Sequence, residues 1–444
     1  MSQFKMGYSL TGFLKNHVEI VVANLVCILL AISSWNYYDV RYFLEWYAYF
    51  STGRLLYVYA SSIYDKIAYP PLPVLIFVSV HHVAVSLTGS IEAIRLIDKL
   101  PLIISFNAIY FVLRKQYGRK AGMLWLMNIA GYIIISGYQF DIIAALFLLL
   151  GYVELSRGDL LKSTVYLTLA ALVKQVLAVL ILIPLLIRLK NRDYKGLLHT
   201  VSIAAAVGLV FITPFLLTDA YAFIRRVLFF HAARYPQELS LFALPLYASW
   251  YNVNAVPAWL VWIWVIPLAI YTLVIYFYFL KEPEYDEKIF LKYFITLLIG
   301  LLVFNKIGGF NYFTWLVPFL VIYAVKNPLH SDNHLFETLY VSIPIMSSVI
   351  YYASTLFAAA VASSEIFMIE DLNWVSAEEV ILRSTSASSL LYTLVQACRS
   401  NPLLNILFGM LNQSKPVSQI FFTILYNAYL TYILKEVLAT AKTR

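Results

Sequence analysis

Charge and cysteine are both scarce in this chain: of 444 residues, 13% are charged and two are cysteine. Cys27 and Cys398 stand alone, inside or beside apolar segments, so neither a disulfide framework nor a cysteine metal site is indicated. No low-complexity tract or inverted repeat is visible, and composition never shifts enough to mark a linker or a soluble module. No cleavable leader is expected either, because the first apolar run is followed by tyrosines and not by a small-residue cleavage site. That run is expected to stay as the first helix. The net charge of +8 raises the question of nucleic acid, yet the basic residues fall in short clusters between apolar runs, the pattern that orients membrane helices. Nucleic acid is therefore not implied.

What the chain has in abundance is hydrophobic residues, 61% of the total. They form long runs from end to end, and lipid offers no water to backbone amides, so such runs are expected to be spanning helices. The expected fold class is all-α, a polytopic integral membrane protein forming one domain over 1–444.

Charge then sets the direction of each crossing. Lys5 and Lys15 precede the run from His17 to Trp35, which places the N-terminus in the cytoplasm and the next stretch, WNYYDVRYF, outside. The densest basic clusters, RKQYGRK at 114–120, SRGDLLK at 156–162 and RLKNRDYK at 188–195, are expected to be cytoplasmic. Between the first two, a pair of helices turns at SGYQFD, ending at Asp141. Between the second and third, two short helices meet near Lys174 and Gln175 on the outer side. Charge parity leaves one crossing for two apolar stretches, 71–88 and 97–113. The first carries prolines at its start and His81 and His82 at its middle, so it is assigned to the first outer loop as an interfacial element. Further helices are expected near 199–217, 256–280, 288–304, 312–325, 335–361 and 417–434, giving about twelve crossings. An acidic outer loop at 363–388 and an interrupted apolar segment at 389–412 complete the chain.

This count brings Asp39, Glu45, Asp141, Lys174 and Lys306 to one membrane face, where charge near lipid implies water, a partner or a ligand. Each has a plainer alternative. Asp39 pairs with Arg41 as a solvated loop acid, and Glu45, six residues on, points away from Asp39 on a helix. Asp141 caps the next helix. Lys174, apolar on both sides in LAALVKQVLAVLI, needs an anion or must snorkel to the interface. Lys306 is an interfacial lysine, or stands beside two glycines that let backbone approach a ligand. Arg225, Arg226 and Arg234, in the outer loop YAFIRRVLFFHAARYPQE, bind an anion or touch anionic headgroups. His81 and His82 are adjacent, not four apart, and so do not share one metal from a helix face. An outer acid with outer cations suits transfer of a group from a lipid-linked phosphate to a hydroxyl: the acid takes the hydroxyl proton and the cations stabilise the departing phosphate.

Four stretches then resemble the GT-C superfamily of polyprenyl-phosphate-sugar glycosyltransferases: YYDVRYF with Asp39, IAYPPLPVLIF at 67–77, the segment from Gly137 to Gln175, and FNKIGGFNYFTWLVPFL at 304–320. The last looks most like the GPI mannosyltransferase I branch and its polyprenol-phosphate-mannose-dependent relatives. The resemblance covers about the first 320 residues, a catalytic module, and leaves 321–444 as variable C-terminal helices. It implies that Asp39 is the catalytic base and Asp141 a second acid at the site. Lys174, with Lys306, Arg41, Arg225, Arg226 and Arg234, would meet the donor phosphate, and Tyr42, Tyr69, Gln139 and Tyr312 would line the cavity. The branch carries a second acid two positions after the first, where this chain has Arg41, so a D-x-D metal site is not supported and no cofactor is expected. The implied partners are a polyprenyl (dolichyl) phosphate sugar such as a mannose donor, a glycan or lipid-linked acceptor, and the bilayer, with the reaction on the non-cytoplasmic face. The membrane would be the plasma membrane of a prokaryote or the endoplasmic reticulum of a eukaryote. A flippase or transporter for lipid-linked sugars is the rival, and it expects a midplane site with broken helices.

Overall fold

The computed structural model describes residues 17–33, 37–60, 69–230, 234–250, 252–326, 343–345, 400–402, 406 and 415–439. These residues are almost entirely helical, with one pair of two-residue strands, so the all-α expectation holds. In chain order the helices are α1 (Val18–Ser33), α2 (Tyr37–Ser51), α3 (Pro71–Leu87), α4 (Ile91–Tyr117), α5 (Arg119–Leu126), α6 (Ile129–Gly137), α7 (Asp141–Ser156) and α8 (Leu160–Val173). There follow α9 (Leu182–Lys190), α10 (Tyr194–Ile224), α11 (Leu244–Ala248), α12 (Val265–Lys281), α13 (Glu287–Val303), α14 (Phe313–Lys326) and α15 (Lys415–Ala439). The strands are β1 (Gln237–Glu238) and β2 (Ile307–Gly308), paired in parallel.

Apolar helices divide by what covers them. α7, α13 and α14 are buried on nearly every side, as helices without a polar face must be when they form the centre of a bundle. α10 is just as apolar but almost wholly exposed, with Leu217 at 83% and Val210 at 73%. A helix that presents such residues outward needs lipid as its solvent. Among the described residues three helical stretches are long and apolar enough to cross a membrane: Ile91–Tyr117, Tyr194–Phe229 and Ala258–Lys281. Shorter apolar helices are α1, α3, α8 and α14. The chain is an integral membrane protein.

Polar caps and glycines close the turns at one end of the bundle. Asp159, Asp193 and Asp286 each accept a hydrogen bond from a backbone N–H in the first turn of the helix that follows. Gly118 and Gly158 stop their helices at φ +89° and +82°. The basic clusters gather at this end: Arg114 lies 2.5 Å and Arg119 3.3 Å from Glu19, Lys190 donates to the Glu282 carbonyl, and Lys326 pairs with Glu287.

The segment 71–88 forms α3, an apolar helix shorter than the three long stretches. Its start is tied through Tyr69 to Gln139, whose neighbour Ser136 accepts from Lys99 of α4. Its middle is tied through His81 to Asp98, and its end joins Ile91. These contacts lie in the first nine residues of α4. The helix expected before SGYQFD is broken instead, into α5 and α6 at Met127 and Asn128. The segments 335–361, 363–388 and 389–412 lie almost wholly outside the described residues.

Candidate active site

Asp39 stands in the first turn of α2 and accepts a hydrogen bond from Nε2 of Gln139. The amide oxygen of the same glutamine accepts from the Tyr69 hydroxyl at 3.0 Å, and the Tyr69 carbonyl accepts from Tyr59 at 2.8 Å. Donor and acceptor ends of Gln139 are both used, which fixes its orientation. The turn between α6 and α7 aims it there. Tyr138 takes a left-handed conformation, φ 60°, and its ring packs against Phe43, Phe77 and Phe140. A non-glycine residue holds that conformation only when its surroundings determine it, and here buried rings do so.

Asp141 is fully buried at the first position of α7, and the capping role expected for it is not what the structure shows. Phe140 occupies the cap position without a side-chain hydrogen bond. The Asp141 carboxylate turns away from its own helix: Oδ2 accepts from Nδ2 of Asn311 at 2.7 Å and lies 3.8 Å from Nζ of Lys174. Its Oδ1 is sealed from solvent and has no hydrogen-bond partner among the described residues.

Lys174 sits where α8 ends in extended backbone, φ −142° and ψ 108°, before a 3-10 turn over Gln175–Ile181. The break frees the side chain from the helix and sends it between two rings, with Nζ 4.5 Å from the Tyr69 ring centre and 5.0 Å from that of Tyr312. Tyr312 is in turn stacked on Trp315 at 4.6 Å. An ammonium held by ring faces and a carboxylate at 3.8 Å keeps its hydrogens available to an anion.

Lys306 does something else. It is buried and donates to the carbonyls of Arg234, at 2.6 Å, and Val261, at 3.2 Å. Its described contacts thus fasten the chain at Arg234 to the start of the Ala258–Lys281 stretch, a structural use that its sequence setting did not separate from phosphate binding. The neighbouring glycines are explained by backbone approach, though to protein. A Cβ at Gly308 would stand 2.2 Å from the Ser240 nitrogen, and one at Gly309 would stand 2.3 Å from Oδ1 of Asn311 and 2.9 Å from Oε2 of Glu238.

Glu238 is the residue that sequence reasoning missed. It lies four residues after Arg234, and burial raises its carboxyl to about 7, against the pull of Arg234 and Lys174 and with the push of Asp39 and Asp141. That mutual influence places it among the same charges. The signal available was its position, shortly after Arg234; a lone acid in YPQEL offers no other.

The remaining expected residues are placed less centrally. Arg234 acts electrostatically on Glu238, with its guanidinium carbon 5.4 Å from the Phe230 ring centre. Arg225 is exposed and Arg226 half-buried in a single π-helical turn, and no described contact brings either to Asp39. Tyr42 and Glu45 are buried on α2. The side chain of Arg41 lies outside the described residues.

The gathered groups are acids able to take a proton and cations able to meet an anion, walled by aromatic rings at the bundle end opposite the basic clusters. No family model matches the sequence, and no curated protein does. Among solved structures, the crystal structure of ArnT from Cupriavidus metallidurans bound to undecaprenyl phosphate aligns over 96% of this chain and 77% of that one, at 16% identity and a TM-score of 0.48. The apo state of the same protein aligns over 96% and 76%, at 16% identity and a TM-score of 0.46.

Proposed function

We propose that this chain is an inverting glycosyltransferase that moves a sugar from a polyprenyl phosphate to a hydroxyl on the non-cytoplasmic face of its membrane. The observation that carries the reading is convergence: Asp39, the turn with Gln139 and Asp141, and Lys174, three places far apart in the chain, meet in one aromatic-walled site. In the step proposed, Asp39 takes the proton of the acceptor hydroxyl as its oxygen bonds to the sugar's anomeric carbon. The bond from that carbon to the phosphate oxygen breaks on the opposite side, and the electron pair leaves with the phosphate. Lys174 and Arg234 offset the charge that develops there. Gln139 holds Asp39 in line, and Asp141 holds Lys174.

The non-cytoplasmic face is proposed because the basic clusters occupy the other end. The resemblance of the FNK and NYFTW stretch supports a hexose donor such as dolichyl or polyprenyl phosphate mannose, with a glycan or lipid-linked acceptor. A flippase for the same donor is a weaker reading, since the site lies at one end of the helices and not at their middle. Reconstitution in vesicles with labelled polyprenyl phosphate mannose and a mixed glycolipid acceptor fraction tests the choice. The enzyme releases polyprenyl phosphate as label enters the acceptor; passage of intact donor across the bilayer without cleavage would contradict it.

A further inference from the structure

Glu238 carries more structure than a loop acid needs. Its backbone is left-handed at φ 59°, a conformation held from three sides. β1 pairs with β2, Gln237 donates to the Lys306 carbonyl at 2.9 Å, and Leu239 donates to the Gly308 carbonyl at 3.2 Å. Tyr247 donates to the Glu238 carbonyl at 2.5 Å, and Asn427 of α15 donates to the Leu239 carbonyl at 2.8 Å. This mounting delivers a carboxylate whose Oε2 is sealed and has no hydrogen-bond partner among the described residues. Burying such a group unpaired is unfavourable, so it calls for a partner.

A second unpartnered oxygen lies across the same short bridge. Asn311 donates to Oδ2 of Asp141, leaving Oδ1 of that fully buried acid without a partner among the described residues, while its own Oδ1 and Oε2 of Glu238 both flank the Gly309 position. The cations of the site, Lys174 and Arg234, are suited to phosphate. Two carboxylate oxygens lacking donors are suited to the opposite chemistry, a ligand that offers several O–H groups. We propose that Glu238, backed by Asn311 and Asp141, binds hydroxyls of the transferred sugar and determines which sugar the enzyme accepts. This rests on the glycosyltransferase reading above and adds the residue that recognises the sugar, as distinct from the phosphate.

The test compares three probes on the full chain in nanodiscs: polyprenyl phosphate, polyprenyl phosphate mannose and polyprenyl phosphate glucose. Wild type is expected to bind at least one sugar-bearing probe about tenfold more tightly than the bare phosphate, the scale of one or two charge-assisted hydrogen bonds. Glu238→Gln and Glu238→Asp are expected to bind the bare phosphate as wild type does and to lose most of the sugar-dependent gain. Retained phosphate binding also shows that these variants are folded. The proposal is overturned if the sugar-dependent gain survives in both variants, if wild type shows no such gain, or if both variants lose both probes equally, which would make Glu238 a support for the site as a whole. If wild type binds none of the three, the glycosyltransferase reading itself fails.

Discussion

Nζ of Lys174 lies 3.8 Å from Oδ2 of Asp141, and each is the other's only charged partner in the ion-pair contacts described. Asp141 is fully buried, so removing the lysine strands its charge. Lys174→Met is expected to lower stability by about 3 kcal/mol, the usual scale for breaking a buried pair from one side. Adding Asp141→Asn to that variant is expected to restore much of the melting temperature without restoring donor binding. Thermal unfolding in detergent, followed by polyprenyl phosphate binding, separates the two effects. Equal recovery of both would deny Lys174 a place at the phosphate.

Gln139 bridges Asp39 and Tyr69 and touches neither cation in the described contacts. Gln139→Leu is expected to lower kcat by about 100-fold through misalignment of the base, with KM for the donor nearly unchanged. Steady-state kinetics with varied donor checks this. A change confined to KM would instead make Gln139 a donor-binding group.

The adjacent glycines predict different outcomes. A Cβ at Gly308 meets backbone of the β1 loop, which cannot move aside without breaking its hydrogen bonds. Gly308→Ala is expected to cost about 1–3 kcal/mol and to reduce transfer. A Cβ at Gly309 meets the ends of two side chains, Asn311 and Glu238. Gly309→Ala is expected to leave the melting temperature nearly unchanged and to impair transfer, because those ends are displaced within the site. Melting curves and initial rates on the two variants decide the matter.

Burial lifts the Glu238 carboxyl from 4.5 to about 7. A raised acid pKa means that the folded protein holds this proton more tightly than the unfolded chain does. The stability of the neutral form is therefore fully present below about 4.5 and fades as pH rises toward about 7, with no further loss from this group above that. Glu238→Gln cannot ionise, so its melting temperature relative to wild type is expected to rise between about pH 4.5 and about pH 7. Melting curves across that range give the answer; a flat difference would show that Glu238 does not titrate there.

Much of this was legible because membrane folding leaves so few options. Apolar runs and basic clusters placed α1, α4, α7, α8, α12, α13 and α14 close to where they are found, and parity alone brought Asp39, Asp141 and Lys174 to one end. What parity does not encode is side-chain direction. Lys174 and Lys306 look alike in sequence, each a lysine in an apolar setting and expected at one face. One breaks from a helix end toward Asp141, while the other turns to the carbonyls of Arg234 and Val261. The capping expectation for Asp141 failed for the same reason: a local rule gave way to partners from residues 174 and 311, which only tertiary packing supplies. Glu238 depends on β1, β2 and α15 together, three segments whose association no local pattern announces.

The most direct measurement is single-turnover transfer from labelled polyprenyl phosphate sugar by reconstituted wild type and Asp39→Asn, at saturating donor. Loss of about a hundredfold or more in the rate, with donor binding intact, is the predicted result for removal of a general base. Transfer by Asp39→Asn at the wild-type rate would contradict the account.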